Sequence, residues 1–337
     1  MKRWGPGRMI ATLLIGAMLW AIVAAGCMCI GSTGAIGWPT DAFVRGYRME
    51  VVLLASLIGA ALGAAGVVYQ AILRNPLADP YLLGASSGAS LLALLWYVGS
   101  LATLAAPVQA AGQQVFAFVG ALASVALVLA ISSRRGRIEP VTLILVGVIV
   151  NAFNGSIYLL IFFRHPEIVS RGGVFTFLVG GIQTNLTREQ EWAAAWCFAV
   201  GWLVLAYLAG QFNVAPLGDS EAESLGVRIN RLRWGGIVIA SVMTASVVAI
   251  SGPIGFVGLI CPHVARLVVG YDQRRLLPAA TVLAAILLAV ADAVARLLAQ
   301  QSLFQSQLPV GVLTGLLGGP FFLVLLWRAR RTAGGAS

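Results

Sequence analysis

Ten apolar runs separated by short polar links follow one another along this chain: Met9 to Ile30, Val51 to Leu73, Leu82 to Leu104, Val115 to Ile131, Val141 to Phe163, Trp192 to Phe212, Trp234 to Ile250, Ile254 to Val269, Leu276 to Leu298 and Val310 to Trp327. Most are long enough to cross hydrocarbon as helices. The pattern therefore implies an all-α polytopic membrane protein with about ten transmembrane helices. The longest polar stretches, Arg164 to Glu191 and Asn213 to Arg233, are too short to bury a core of their own, so residues 1–337 read as a single transmembrane domain. Composition agrees, because 59% hydrophobic and 10% charged residues leave too little polar surface for a soluble chain of this length. Met1 to Ile30 has the basic start of a signal peptide. Its apolar run is too long for one, and it reads as the first span.

Threading the runs alternately through a bilayer sorts the charge. With both termini inside, the clusters at Lys2/Arg3/Arg8, Arg134/Arg135/Arg137, Arg228/Arg231/Arg233, Arg274/Arg275 and Arg328/Arg330/Arg331, together with Arg74 and Arg266, share one face. Only Arg45, Arg48, Arg164, Arg171, Arg188 and Arg296 fall outside, while the 12 acidic residues divide evenly. The whole net charge of +10 then lies on the inner side, as the positive-inside rule requires. The basic balance reports topology and calls for no nucleic acid.

Site chemistry is sparse. Cys27, Cys29, Cys197 and Cys261 fall inside spans without CxxC spacing, and His165 and His263 stand apart, so no metal site and no resident cofactor is expected. No nucleophile and base stand together as a catalytic set. A GxxxxGK[ST] phosphate cradle is also missing, so the chain cannot hydrolyse ATP by itself.

Small residues at Gly59/Gly63/Gly66, Gly84/Gly88 and Gly311/Gly315/Gly319 have the spacing of close helix packing. Asn75-Pro76 with Pro80, Gly252-Pro253, Cys261-Pro262 and Leu308-Pro309 interrupt or bound apolar segments. Irregular backbone at membrane depth must be buried in protein or line a water-filled path. Asp292 and Arg296, four apart, share one helix face and can pair. The alternative use of Asp292 is ion coupling in a secondary carrier. Spans 2–5 and 7–10 run in opposite senses, which reads as an inverted repeat with a substrate path at its interface.

Two blocks carry a resemblance. The first is Gly59-Ala60-Ala61-Leu62, Gly66, Gln70, Arg74-Asn75-Pro76-Leu77-Ala78-Asp79-Pro80, Leu83-Gly84 and Ser86-Ser87-Gly88-Ala89. The second is Gly255-Phe256-Val257-Gly258-Leu259-Ile260, Pro262-His263, Arg266, Gly270, Asp272, Arg274-Arg275-Leu276-Leu277-Pro278, Ala291-Asp292, Ala295-Arg296, Pro309, Gly311, Thr314, Gly318 and Pro320-Phe321. Taken in order, they resemble the iron-chelate and cobalamin permeases of bacterial ATP-binding-cassette importers over nearly the whole chain.

The resemblance implies a multi-pass protein of the bacterial cytoplasmic membrane that works as a homodimer. Its partners would be two cytoplasmic ATPases, which carry the ATP and Mg, and an extracytoplasmic binding protein that delivers a ferric siderophore, haem or cobalamin. It places an ATPase-coupling loop at Gly218-Asp219-Ser220-Glu221-Ala222-Glu223-Ser224-Leu225-Gly226. Asp219 or Ser220 would cap its helix and Gly226 would end it, while Ala222 and Leu225 would meet an apolar groove of the ATPase. Arg48 and Arg296 match positions that dock the binding protein. A third family arginine is lost in Arg48-Met49-Glu50-Val51, and Arg45 stands one turn earlier as a substitute. The family path runs between spans 5 and 10 of the two subunits, near Pro309 and Gly311. Asn151 and Asn154 either face that path or hydrogen-bond between helices.

Overall fold

A 31-residue helix, Ala42–Ile72, forms the axis of the protein, with nearly every residue from Val51 onward buried. The computed structural model describes residues 6–31, 36–101, 106–134, 136–168, 173–299 and 308–334. Lys2, Arg3, Arg135 and Arg171 of the charge pattern lie outside them. Twelve helices run through the described residues: α1 (Pro6–Met28), α2 (Ala42–Ile72), α3 (Ala85–Leu101), α4 (Ala106–Ser132), α5 (Pro140–Arg164), α6 (Val174–Val179), α7 (Arg188–Phe212), α8 (Asp219–Ser224), α9 (Ile229–Ser251), α10 (Val257–Val269), α11 (Gln273–Ala299) and α12 (Val310–Gly334). The rest of the regular structure is two 3₁₀ turns and a two-residue ladder, Ser133–Arg134 against Arg137–Ile138.

The ten apolar runs fall on the ten long helices, α8 is the short helix expected between Asp219 and Gly226, and α6 is an addition the sequence did not delimit. Six are long and apolar enough to cross a membrane: α2, α4 from Gly112, α5, α7, α9 and α11. The apolar stretches of α1, α3, α10 and α12 are shorter. Several boundaries differ from the apolar runs for local reasons. α2 begins nine residues before Val51 because the Asp41 carboxylate caps it, accepting from the Phe43 and Val44 amides at 2.8 and 3.0 Å. α4 breaks at Gly112, whose φ of 75° is left-handed. α5 starts at Pro140, where a missing N–H costs nothing.

Helix packing around α2 depends on the absence of side chains. A Cβ on Gly59 or Gly63 would strike the α11 backbone at Ala284 and Ala280, and one on Gly66 would strike the Gly258 carbonyl of α10. Gly88 of α3 and Gly120 of α4 approach each other in the same way. Close backbone approach replaces the hydrophobic drive that lipid cannot supply.

At the end opposite the α9 start, three charged side chains hold α1 onto the bundle. Arg296 Nε lies 2.9 Å from Asp292 Oδ2, and both side chains are buried, an ion pair one helical turn apart. Arg296 Nη1 also donates to the Ile30 carbonyl at 2.7 Å, and Arg48 Nη1 donates to Met28 at 2.9 Å and Gly37 at 3.2 Å. Carbonyls at a helix C-terminus lack intrahelical partners and carry the negative end of the dipole, so guanidinium groups suit them.

This arrangement predicts a particular pattern of stability. Asp292→Ala leaves Arg296 buried without its carboxylate, at a cost of about 3–5 kcal/mol. The paired change Asp292→Leu with Arg296→Met removes both charges and recovers a large part of that loss. Thermal unfolding of the detergent-solubilised protein checks it. A double variant no more stable than the single one would show that the charge left behind is not the source of the cost.

Candidate functional site

Three interruptions of helical backbone meet inside the bundle. The first is Gly252 to Phe256, which separates α9 from α10. Gly252 takes a φ of 72° and lies so close to the Phe177 carbonyl of α6 that a Cβ would collide with it. Phe256 takes a φ of 69°, a conformation costly for a bulky residue. The second interruption is Gly180-Gly181, after α6, and the third is Leu308-Pro309, before α12. They hydrogen-bond one another: Gly181 N donates to Ser251 O at 2.9 Å, and Gly311 N donates to Gly180 O at 2.8 Å. A Cβ on Gly311 would strike the Val179 carbonyl, so α12 can start here only with glycine in place.

A fourth element, the turn from Arg74 to Leu83, completes the wall. Asp79 accepts from Tyr81 N at 2.9 Å and from Phe256 N at 3.2 Å, satisfying the amide at the start of α10. Together these segments surround an open concavity of about 700 Å³, lined by Tyr81, Leu178, Gly255, Phe256, Gly311 and Gly315 among others. Its surface is mostly apolar side chain and backbone. Among the described residues no cluster of three His, Cys, Asp or Glu side chains is placed to hold a metal. Such a surface offers few polar contacts to anything that enters it.

The structure separates the pathway residues that the sequence put together. Gly311 lines the cavity, and Pro309, two residues before it, is buried outside the lining. Asn151 donates to the carbonyls of Tyr81 and Leu82 at 3.2 and 3.3 Å and so braces the turn behind the wall. Asn154 takes the interhelical role: 7% exposed, it donates to Ser87 and Ser124 Oγ and ties α5 to α3 and α4. His263 stacks edge-on against Phe321, a packing contact between α10 and α12. Tyr81, Phe256 and α6 were missed. The Gly180-Gly181 pair was the sequence signal for α6's end.

The arginines are also redistributed. Arg48 and Arg296 are 5% and 2% exposed and bonded to the α1 terminus, so neither is presented to a partner as expected. The reason is that carbonyls within the same chain desolvate and satisfy them first. Arg45 is exposed, on the first turn of α2.

The loop from Gly218 to Gly226 forms α8, with two departures from expectation. Neither Asp219 nor Ser220 caps it; Gly218 holds the cap position without a side-chain bond, and the Ser220 hydroxyl donates to Glu221. Asp219 instead binds Arg233 through a two-pronged contact, Oδ2 to Nη1 at 2.9 Å and Oδ1 to Nη2 at 2.7 Å, and binds Arg74 Nη2 at 2.7 Å. The hydrogen bonds from Arg233, then those from Arg74, hold its carboxyl below the usual range. Gly226 does end the helix: with φ of 79° it donates to Glu223 O while Val227 N reaches back to Ala222 O. Ala222 is fully buried against its own chain, so it cannot enter a partner's groove, whereas Leu225 is 62% exposed.

The comparisons with known proteins follow the same lines. The chain matches the FecCD transport family over residues 8–328. It is 38% identical to the cobalamin import system permease protein of Halobacterium salinarum, over 83% of this chain and 72% of that one. To the hemin transport system permease protein of Yersinia pestis it is 34% identical over 98% of both chains. A metal-chelate type ABC transporter solved in an inward-facing conformation superposes with a TM-score of 0.77 and 29% identity, over 94% of this chain and 98% of that one. This chain is a permease of the FecCD transport family.

Proposed function

We propose that the chain is the membrane-spanning subunit of an importer for metal chelates of the ferric siderophore, haem or corrinoid class. In this reading two copies pair, two cytoplasmic ATPases supply ATP and Mg, and a binding protein delivers cargo from the other side. All ten long helices cross the membrane, with spans 2–5 and 7–10 as inverted repeats. The observation that carries the reading is the weakly polar cavity built from broken helices, in a chain matched to importer permeases almost end to end. Exposed apolar faces on α5 (Ile149, Phe153, Leu160) and α12 (Leu316, Leu323) suit a second copy across the path. A secondary carrier driven through Asp292 is disfavoured, because that carboxylate is paired with Arg296 and does not line the cavity.

Reconstitution into proteoliposomes tests this. With labelled haemin, cobalamin and a ferric siderophore offered in turn, uptake of one of them should require the ATPase and ATP. Uptake that continues without any ATPase and collapses with the proton gradient would contradict it.

Two surface predictions accompany it. Leu225→Glu should cut co-purification with the ATPase by roughly ten-fold or more while leaving membrane insertion unchanged, since interface energy concentrates in a few exposed apolar anchors. Normal co-purification would place the docking site elsewhere. On the opposite face, Arg45→Glu should slow association of the binding protein at low salt, with the difference fading as ionic strength rises. A salt-independent loss, or none, would exclude an electrostatic role for Arg45.

A further inference from the structure

We propose that Arg74, Asp79 and Phe256 are positioning residues in a rigid linkage that carries movement of α8 to the α12 wall of the cavity. The inference rests on the transport role proposed above. It is motivated by strain, because the only two non-glycine residues with positive φ among the described residues, Arg74 (51°) and Phe256 (69°), stand at the two ends of one connected set of contacts.

The set begins at α8. Arg74 Nη2 meets Asp219 Oδ1 at 2.7 Å, and its Nε donates to the Ala215 carbonyl at 2.8 Å, so one guanidinium holds both the entry to α8 and its first residue. The segment that follows is closed by two successive hydrogen-bonded turns. Leu77 N donates to the Asn75 side chain at 2.9 Å, Ala78 N to Asn75 O at 3.1 Å, Tyr81 N to the Asp79 side chain at 2.9 Å and Leu82 N to Asp79 O at 3.0 Å. Asn151 fixes its far end from α5. Asp79 Oδ2 then accepts from Phe256 N at 3.2 Å. Finally, the Phe256 ring lies on the α12 backbone where Gly318 has no side chain; a Cβ there would sit inside the ring.

Each joint is therefore a charge-assisted hydrogen bond, a closed turn or a hard packing contact, so a displacement of α8 loads each of them in turn up to α12. The strained residues are explained by position. Arg74 turns the chain out of α2 toward α8, and Phe256 turns it into α10 while placing its ring on α12.

The test uses the full chain assembled with its ATPase in nanodiscs, with Cys27, Cys29, Cys197 and Cys261 replaced by Ser and a spin label on Gly315→Cys. That position lines the cavity, and a Cβ there meets nothing within 4 Å. ATP with vanadate should change the label's spectrum in the parent. Arg74→Gln and Phe256→Ala should each reduce that change roughly five-fold in complexes that still assemble, and Arg74→Lys should restore part of it. A merely structural role would lower thermal stability and leave the response of assembled complexes intact. That outcome overturns the proposal. If Phe256→Ala does not assemble, the Arg74 pair alone decides. A parent with no nucleotide response would overturn the transport reading and the linkage with it.

Discussion

A backbone amide or carbonyl that leaves a helix inside hydrocarbon finds no water, and the interior of this protein is arranged around that constraint. The break from Gly252 to Phe256 exists because other broken segments come to meet it. Ser251 O is taken by Gly181, Phe256 N by the Asp79 carboxylate, and Gly180 O by Gly311. Remove any of these segments and the others are left with unsatisfied polar groups at a cost of several kcal/mol each, on the order of an unpaired amide in an apolar medium. The cavity is the space these segments enclose, so its position follows from the same hydrogen bonds that make the breaks tolerable.

Charge follows the same economy. Each buried cation at the α1 end is bonded within the chain: Arg296 to Asp292 and Ile30, Arg48 to Met28 and Gly37. At the other end Arg233, also buried, shares Asp219 with Arg74. Charges satisfied in this way fix geometry, whereas Arg45 stays in solvent. Burial and competition from carbonyls of the same chain thus separate Arg48 and Arg296 from Arg45, although all three sit near helix ends in the sequence.

What was legible in the sequence was whatever depends on local chemistry. Apolar run length placed the long helices, four-residue spacing paired Asp292 with Arg296, and Gly226 marked the end of the short helix that the family resemblance implied. What was illegible depends on which distant backbone comes near. Asn154 has the same sequence surroundings whether it faces a path or bonds Ser87 and Ser124. Ala222 and Leu225 are both apolar residues on one short segment, and only the fold turns the first inward and the second outward. Asp219 looked like a helix cap because Arg74 lies 145 residues away in sequence.

The broken segments should border water, while the contact between α2 and α11 should be dry. Substituted cysteines report this directly, in a background lacking Cys27, Cys29, Cys197 and Cys261. Cysteines at Tyr81, Gly255 and Phe322, which line the cavity, should react with a water-soluble, membrane-impermeant thiol reagent. Cysteines at Ala284 and Leu288, buried against α2, should react at least about ten-fold more slowly, because a thiol must be both solvated and ionised to react. Equal and negligible labelling at all five positions would mean that the breaks are sealed packing defects with no aqueous path beside them.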